Sequence, residues 1–186
     1  MVFQEGESKL QSLKVWIQEH APVKARRKFG FLPGAEQVPL QAGQVIEILG
    51  AGQMRFVVSL LKACPESRVS WMTTKALEVC PMAFSQEKIN LSRVLFLTQI
   101  KETQGMDLML TLLKSQLFEV MVFEQGFLPQ RHLDVQLRKL SLLAEENGTL
   151  LCSFAKNPTS SYGIHIRVET EDAEVNRVQK VKGRSS

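Results

Sequence analysis

VIEILGAGQMRFVVSLLKA, residues 45–63, is the stretch on which the reading of the fold turns. VIEIL (45–49) is a short, mostly apolar run with β-branched residues, as a strand covered on both faces requires. Gly50 and Gly52 break the run, and MRFVVSLLKA (54–63) follows with the composition of a helix. A strand that turns straight into a helix is the opening half of a parallel crossover, because parallel strands cannot be joined by a tight hairpin.

Downstream the unit recurs. RVSWM (68–72), RVLFL (93–97), EVMVF (119–123) and TLLCSF (149–154) read as further strands of the same kind. GMDLMLTLLKSQL (105–117) has helical composition, and PQRHLDVQLRKLSLLAEE (129–146) repeats Leu133, Leu137, Leu140 and Ala144 every three or four residues. Pro129 suits the first turn of that helix and Gly148 its end. IHIRVET (164–170) and EVNRVQKVK (174–182) flank Glu171-Asp172-Ala173 with no helix between them, which predicts a hairpin set antiparallel at one edge of the sheet. The expected class is α/β, a mostly parallel sheet flanked by helices through right-handed crossovers, with a C-terminal antiparallel β-hairpin.

Upstream, ESKLQSLKVWIQE (7–19) places Leu10, Leu13, Ile17 and the neighbouring Trp16 on one side, so a short amphipathic helix is expected there. His20-Ala21-Pro22 ends it, and a linker rich in Lys, Arg, Gly and Pro runs to Gly43. The expected organisation is an N-terminal helix with basic linker (1–43), a core domain (44–182) and a short tail (183–186).

The 186 residues, 44% hydrophobic and 23% charged, suit one globular domain with a core large enough to need no staples. Cys64, Cys80 and Cys152 are odd in number, widely spaced and form no CxxC pair, so neither a disulfide framework nor a zinc site is expected. MVFQEGES (1–8) has two acids, no base and no apolar run after it, unlike a secretory signal, and no stretch approaches the roughly 20 apolar residues of a membrane span. A cytoplasmic protein with no membrane contact is expected. The net charge of +4 is mild, so placement matters more than the total. Lys24, Arg26, Arg27 and Lys28 stand together without an acid, and Arg177, Lys180, Lys182 and Arg184 follow the last acid, Glu174. Both groups are either solvated faces or contacts for a partner or for DNA, the latter weak, sequence-independent and salt-sensitive.

In an α/β fold a phosphate would sit at the first strand-to-helix turn, here Gly50-Ala51-Gly52-Gln53-Met54. A working phosphate loop reads GxxxxGK[ST], with backbone amides cradling the phosphates, Lys reaching them and the hydroxyl holding magnesium. With Gly52 as the last glycine, Gln53 replaces Lys and Met54 replaces Ser/Thr, while the first glycine position falls on Glu47. Glu124, after EVMVF, stands where a magnesium-directing acid would be, but Thr73-Thr74-Lys75 after RVSWM supplies no carboxylate to activate water. His20, His132 and His165 lie in three different elements, with His132 expected on a polar helix face, and Cys152 lies in an expected buried strand. No catalytic residue, metal site or cofactor is expected.

Read in series, the chain resembles the RecA-like family, and within it the short ImuA/SulA-like branch, from about Leu32 to Lys182. LPGAEQVPLQAGQVIEILGAG resembles the entry to the first strand and phosphate loop, RVSWM and ALEVCPMAF the second strand and the region after it, and NLSRVLFL the third strand. LKSQLFEVMVFEQ resembles the helix and Walker B strand, RKLSLLAEENGTLLCSF the next pair, and IHIRVET with VQKVKG the C-terminal hairpin. The resemblance implies a RecA-like core in the bacterial DNA-damage response. On it, an ImuA-like accessory protein acts beside an inactive-type Y-family polymerase and an error-prone replicative-type polymerase in translesion synthesis, its partners being those subunits. Gln53, Met54 and the missing carboxylate after Met72 depart where RecA would hydrolyse ATP, so a non-hydrolytic scaffold is expected. Two other readings stay open: a SulA-like division inhibitor that binds FtsZ, and an ATP-dependent recombination protein.

Overall fold

The computed structural model describes residues 29–75, 81–171 and 174–180. The elements run β1 (Phe31–Leu32), β2 (Ala35–Pro39), β3 (Val45–Gly50), α1 (Gln53–Ala63), β4 (Val69–Met72), α2 (Pro81–Gln86), β5 (Val94–Leu97), α3 (Glu102–Ser115), β6 (Val120–Glu124), α4 (Leu133–Asn147), β7 (Leu150–Phe154), β8 (Ile166–Glu171) and β9 (Glu174–Lys180), with short 3-10 turns between some of them. β3 to β9 form one seven-stranded sheet in the order β5-β4-β6-β7-β3-β8-β9. Every pairing in it is parallel except β8 with β9.

The strand reading is met to within a residue or two, because apolar runs of four to six residues suit the buried interior of a parallel sheet. One face packs under α1 through Phe56, Val57, Leu60 and Leu61, with Ile46, Ile48, Trp71 and Val122 beneath. The other packs under α3 and α4 through Leu108, Leu112, Leu137 and Leu140, with Met72, Met121, Phe123 and Leu151 beneath. The chain leaves β3 over the first face and returns over the second, so the C-terminal ends of β3, β4, β6 and β7 open on a common crevice.

Four details differ from expectation. α3 begins at Glu102, three residues earlier than its composition suggests, and takes Gly105 inside the helix. Pro129 lies outside α4: a 3-10 turn at Gln130–His132 intervenes, and the α-helix starts at Leu133. Gly148, with φ +74°, does end it. The hairpin is antiparallel only within itself, since β8 runs parallel to β3 and β9 alone is reversed. Within the stretch expected to be a basic linker, β1 and β2 pair antiparallel, and Phe29, Leu32, Val38 and Leu40 are buried with the α1-side core. The expected helix at 7–19 lies outside the described residues. No helix among the described residues is long and apolar enough to cross a membrane.

Candidate functional site

The first strand-to-helix turn is built by close approach. Gly50 has φ +92°, and a side chain there would run into the carbonyl oxygen of Thr170 on β8. Only glycine meets both conditions, since the left-handed region disfavours a Cβ and no space exists for one. Thr170 Oγ1 also donates to Leu49 O at 2.7 Å, which ties β8 to the end of β3. Gly52 is the N-cap of α1, and its carbonyl accepts from Phe56 N at 3.0 Å.

Gln53, at the position of a phosphate-loop lysine, turns its side chain inward. Its Nε2 donates to Ile48 O and to Ala155 O, each at 2.8 Å. Both amide hydrogens are spent on the ends of β3 and β7, so the side chain stitches the two strands together at the floor of the turn. Met54 beside it is half-buried and packs against the α1-side core. Ala51 is exposed at the tip.

Glu124 ends β6, half-buried, facing the end of β4. Thr73 Oγ1 donates to its Oε1 in a short hydrogen bond, and Thr74 Oγ1 donates to its Oε2 at 2.8 Å. Each carboxylate oxygen therefore already receives a hydroxyl proton from the neighbouring strand end. The crevice bounded by these residues has a volume of about 1310 Å³ and takes its far wall from the β7–β8 connection, Ala155 to Ser161. Arg131 and His132 are exposed on its rim; His132 stands at the N-cap of α4 rather than on a helix face. Ser161 Oγ donates to Asp134 Oδ1 at 2.6 Å, and this bond holds the Asp134 carboxyl below the usual aspartate range.

A buried polar cluster that the sequence alone did not reveal holds that connection in place. Glu47 lies in the middle of β3, its side chain fully buried, and Arg167 of β8 donates from Nε to Glu47 Oε2 at 2.6 Å. Thr159 N donates to Glu47 Oε1 at 3.0 Å, the Arg167 guanidinium also donates to Thr159 O, and Gln125 Nε2 donates to Thr159 Oγ1 at 2.8 Å. Two charged groups thus grip both backbone polar groups of one loop residue. The signal in the sequence was a charge, Glu47, in an otherwise apolar strand.

The other candidates lie elsewhere. Arg177 is exposed on β9, away from the crevice, and Lys180 ends the same strand. Lys24, Arg26, Arg27, Lys28, Lys182, Arg184, His20 and Cys80 fall outside the described residues. Cys152 is fully buried and Cys64 nearly so; desolvation pushes both thiols up, which leaves them as small apolar groups. His165 Nδ1 accepts from Val45 N at 3.2 Å, at the N-terminal end of β3 and so at the opposite end of that strand from the turn. Among the described residues, no three His, Cys, Asp or Glu side chains converge as a metal site.

Neither a protein-family model nor a curated protein matches the sequence. Among solved structures, the crystal structure of the RadB recombinase superimposes with a TM-score of 0.57 at 14% identity, over 74% of this chain and 77% of that one. Together with the strand order and the two helical layers, that likeness makes the fold RecA-like.

Proposed function

We propose that the chain is a non-hydrolytic RecA-like accessory protein, of ImuA type, that serves as an interaction scaffold for error-prone translesion synthesis in the DNA-damage response. The observation that carries the non-hydrolytic half is the stitching of Gln53 to Ile48 O and Ala155 O. A triphosphate needs a cation at that place, and here a neutral amide stands with both protons engaged. Met54 offers a thioether where hard magnesium wants a hydroxyl oxygen. Thr73, Thr74 and Lys75 offer no carboxylate as a general base.

The scaffold half rests on the resemblance of LPGAEQVPLQAGQVIEILGAG, NLSRVLFL and LKSQLFEVMVFEQ to ImuA-like proteins, carried on a RecA-like fold. Residues 1–22 and the basic segments Lys24 to Lys28 and Arg177 to Arg184 are the proposed partner contacts, with at most a salt-sensitive, sequence-independent affinity for DNA.

The test has two arms. Calorimetric titration with magnesium ATP is expected to give no saturable heat in the micromolar range, and saturable binding with turnover would restore the recombinase reading. Affinity purification at moderate salt from the damaged native host is expected to recover Y-family and error-prone polymerase subunits. Recovery of FtsZ in their place would overturn the scaffold reading in favour of a division inhibitor.

A further inference from the structure

The outer surface of the α3–α4 layer carries an apolar groove of about 430 Å³, and among the described residues nothing covers it. Leu110 of α3 and Leu143 of α4 lie half-buried in its lining, while Val135 and Leu142 of α4 stand 63% and 47% exposed along it. Val135, Lys139, Leu142 and Glu146 follow one another at intervals of four, three and four residues, which aligns them along one exposed stripe of α4. The charges on that stripe run against the helix that carries them. A helix has its negative pole at the C-terminus, where cations are favoured and acids are not. α3 follows the rule, with Glu102 in its first turn and Lys114 in its last. α4 breaks it: Arg138 and Lys139 precede Leu142, and Glu145 and Glu146 follow it into a last turn that has no basic residue. Among the described residues neither Lys139 nor Glu146 has an ion-pair partner.

We infer that this face is an interface between two copies of the chain, with α4 lying antiparallel on α4 of the second copy about a two-fold axis at Leu142 and Leu143. The stripe supplies both halves of its own complement: a cation, an apolar centre and an acid in that order. In a two-fold contact, a residue that meets another across the interface is met by it in return. With the axis at Leu142 and Leu143, Lys139 of each copy faces Glu146 of the other, so the pairing occurs twice. Leu142 of each copy enters the groove of the other beside Leu110 and Leu143. The overlap runs from Arg138 to Asn147, about 15 Å of helix. A parallel copy in register would set Lys139 against Lys139 and Glu146 against Glu146, so the order of charges selects the antiparallel arrangement. It also brings a cation to the last turn of α4, where the helix itself provides none.

The inference is independent of the function proposed above, and sedimentation velocity of the full-length protein tests it. At low ionic strength, where exposed charges are least screened, the wild type is expected to pass from monomer to dimer across the micromolar range. Lys139→Glu is expected to weaken the dimer severalfold, and so is Glu146→Lys. The two together should restore it, because both pairs then form again with their signs exchanged. Leu142→Asp is expected to abolish the dimer with unchanged far-UV circular dichroism, since the side chain is exposed and the core is retained. A wild type that stays monomeric throughout overturns the inference. So does a dimer that persists in Leu142→Asp, which would have formed through another surface. A double charge exchange that remains as weak as either single variant overturns the antiparallel arrangement and with it the inference.

Discussion

At the residue scale, two side chains decide the character of the crevice, and both act by satisfying buried polar groups. Replacing Gln53 with Ala removes the side-chain donor from Ala155 O and leaves Ile48 O with Ala155 N alone, and one such buried loss costs about 1–3 kcal/mol. Urea denaturation should show a lowered midpoint. Arg167→Ala should cost more, about 3–5 kcal/mol, because it strands the fully buried Glu47 carboxylate. The same experiment separates the two, since the larger loss belongs to an ion pair and the smaller to a neutral amide. His165 gives a pH signature. Burial pushes its pKa below the ordinary 6.5, with the Gly163 backbone and Glu145 opposing, and its neutral Nδ1 accepts from Val45 N. The unfolded chain therefore takes up the proton first, and the contribution of this residue to stability falls as pH drops below 6.5 toward the folded value. Stability measured at about pH 7.5 and about pH 5.5, on either side of the ordinary histidine value, should fall less in His165→Asn than in the wild type.

At the element scale, the ends of helices carry information that composition does not. α1 has no side-chain cap at its N-terminus, yet at its C-terminus the Arg93 guanidinium donates to Leu61 O, Cys64 O and Ser67 O at 2.7–2.8 Å. A cation there satisfies orphan carbonyls and opposes the negative end of the helix dipole. Arg93→Ala should lower the thermal midpoint, and Arg93→Lys should recover only part of it, since one ammonium cannot reproduce the planar fork. Gly105 inside α3 makes the opposite case. Helix propensity favours Ala by about 1 kcal/mol. A Cβ at Gly105, however, would lie 2.7 Å from Phe127 Cβ, a contact the ring cannot rotate away from, and overpacking of this kind costs about 1–3 kcal/mol. Gly105→Ala is expected to destabilise on balance, and calorimetry of that variant checks the sign.

At the scale of the whole molecule, the two apolar cores share one sheet between them, so neither can lose the sheet without the other losing it as well. Unfolding monitored by far-UV and near-UV circular dichroism should follow one coincident transition. Noncoincident curves would mean that the α1 layer and the α3–α4 layer part separately.

Local pattern suffices for the strand order from Val45 to Phe154 and for α1, α3 and α4, because apolar runs of strand length separated by helical stretches permit few other arrangements. It determined the glycine turn at Gly50 and the stop at Gly148, and it located Gln53, Met54 and Glu124 at the mouth of one crevice. The tertiary structure alone decided how those residues are engaged. Gln53 meets Ala155 and Glu124 meets Thr73 across long stretches of chain, and hydrogen bonds of that kind leave no mark in local periodicity. The same holds for Glu47 with Arg167 and Thr159: a lone acid in a strand announces a partner but not which one, since a buried charge is matched by whatever folding brings beside it. The β1–β2 hairpin left no sequence signal for a related reason. Its strands are two and five residues long, too short for alternation to register, and only burial against the α1-side core gives them a reason to form.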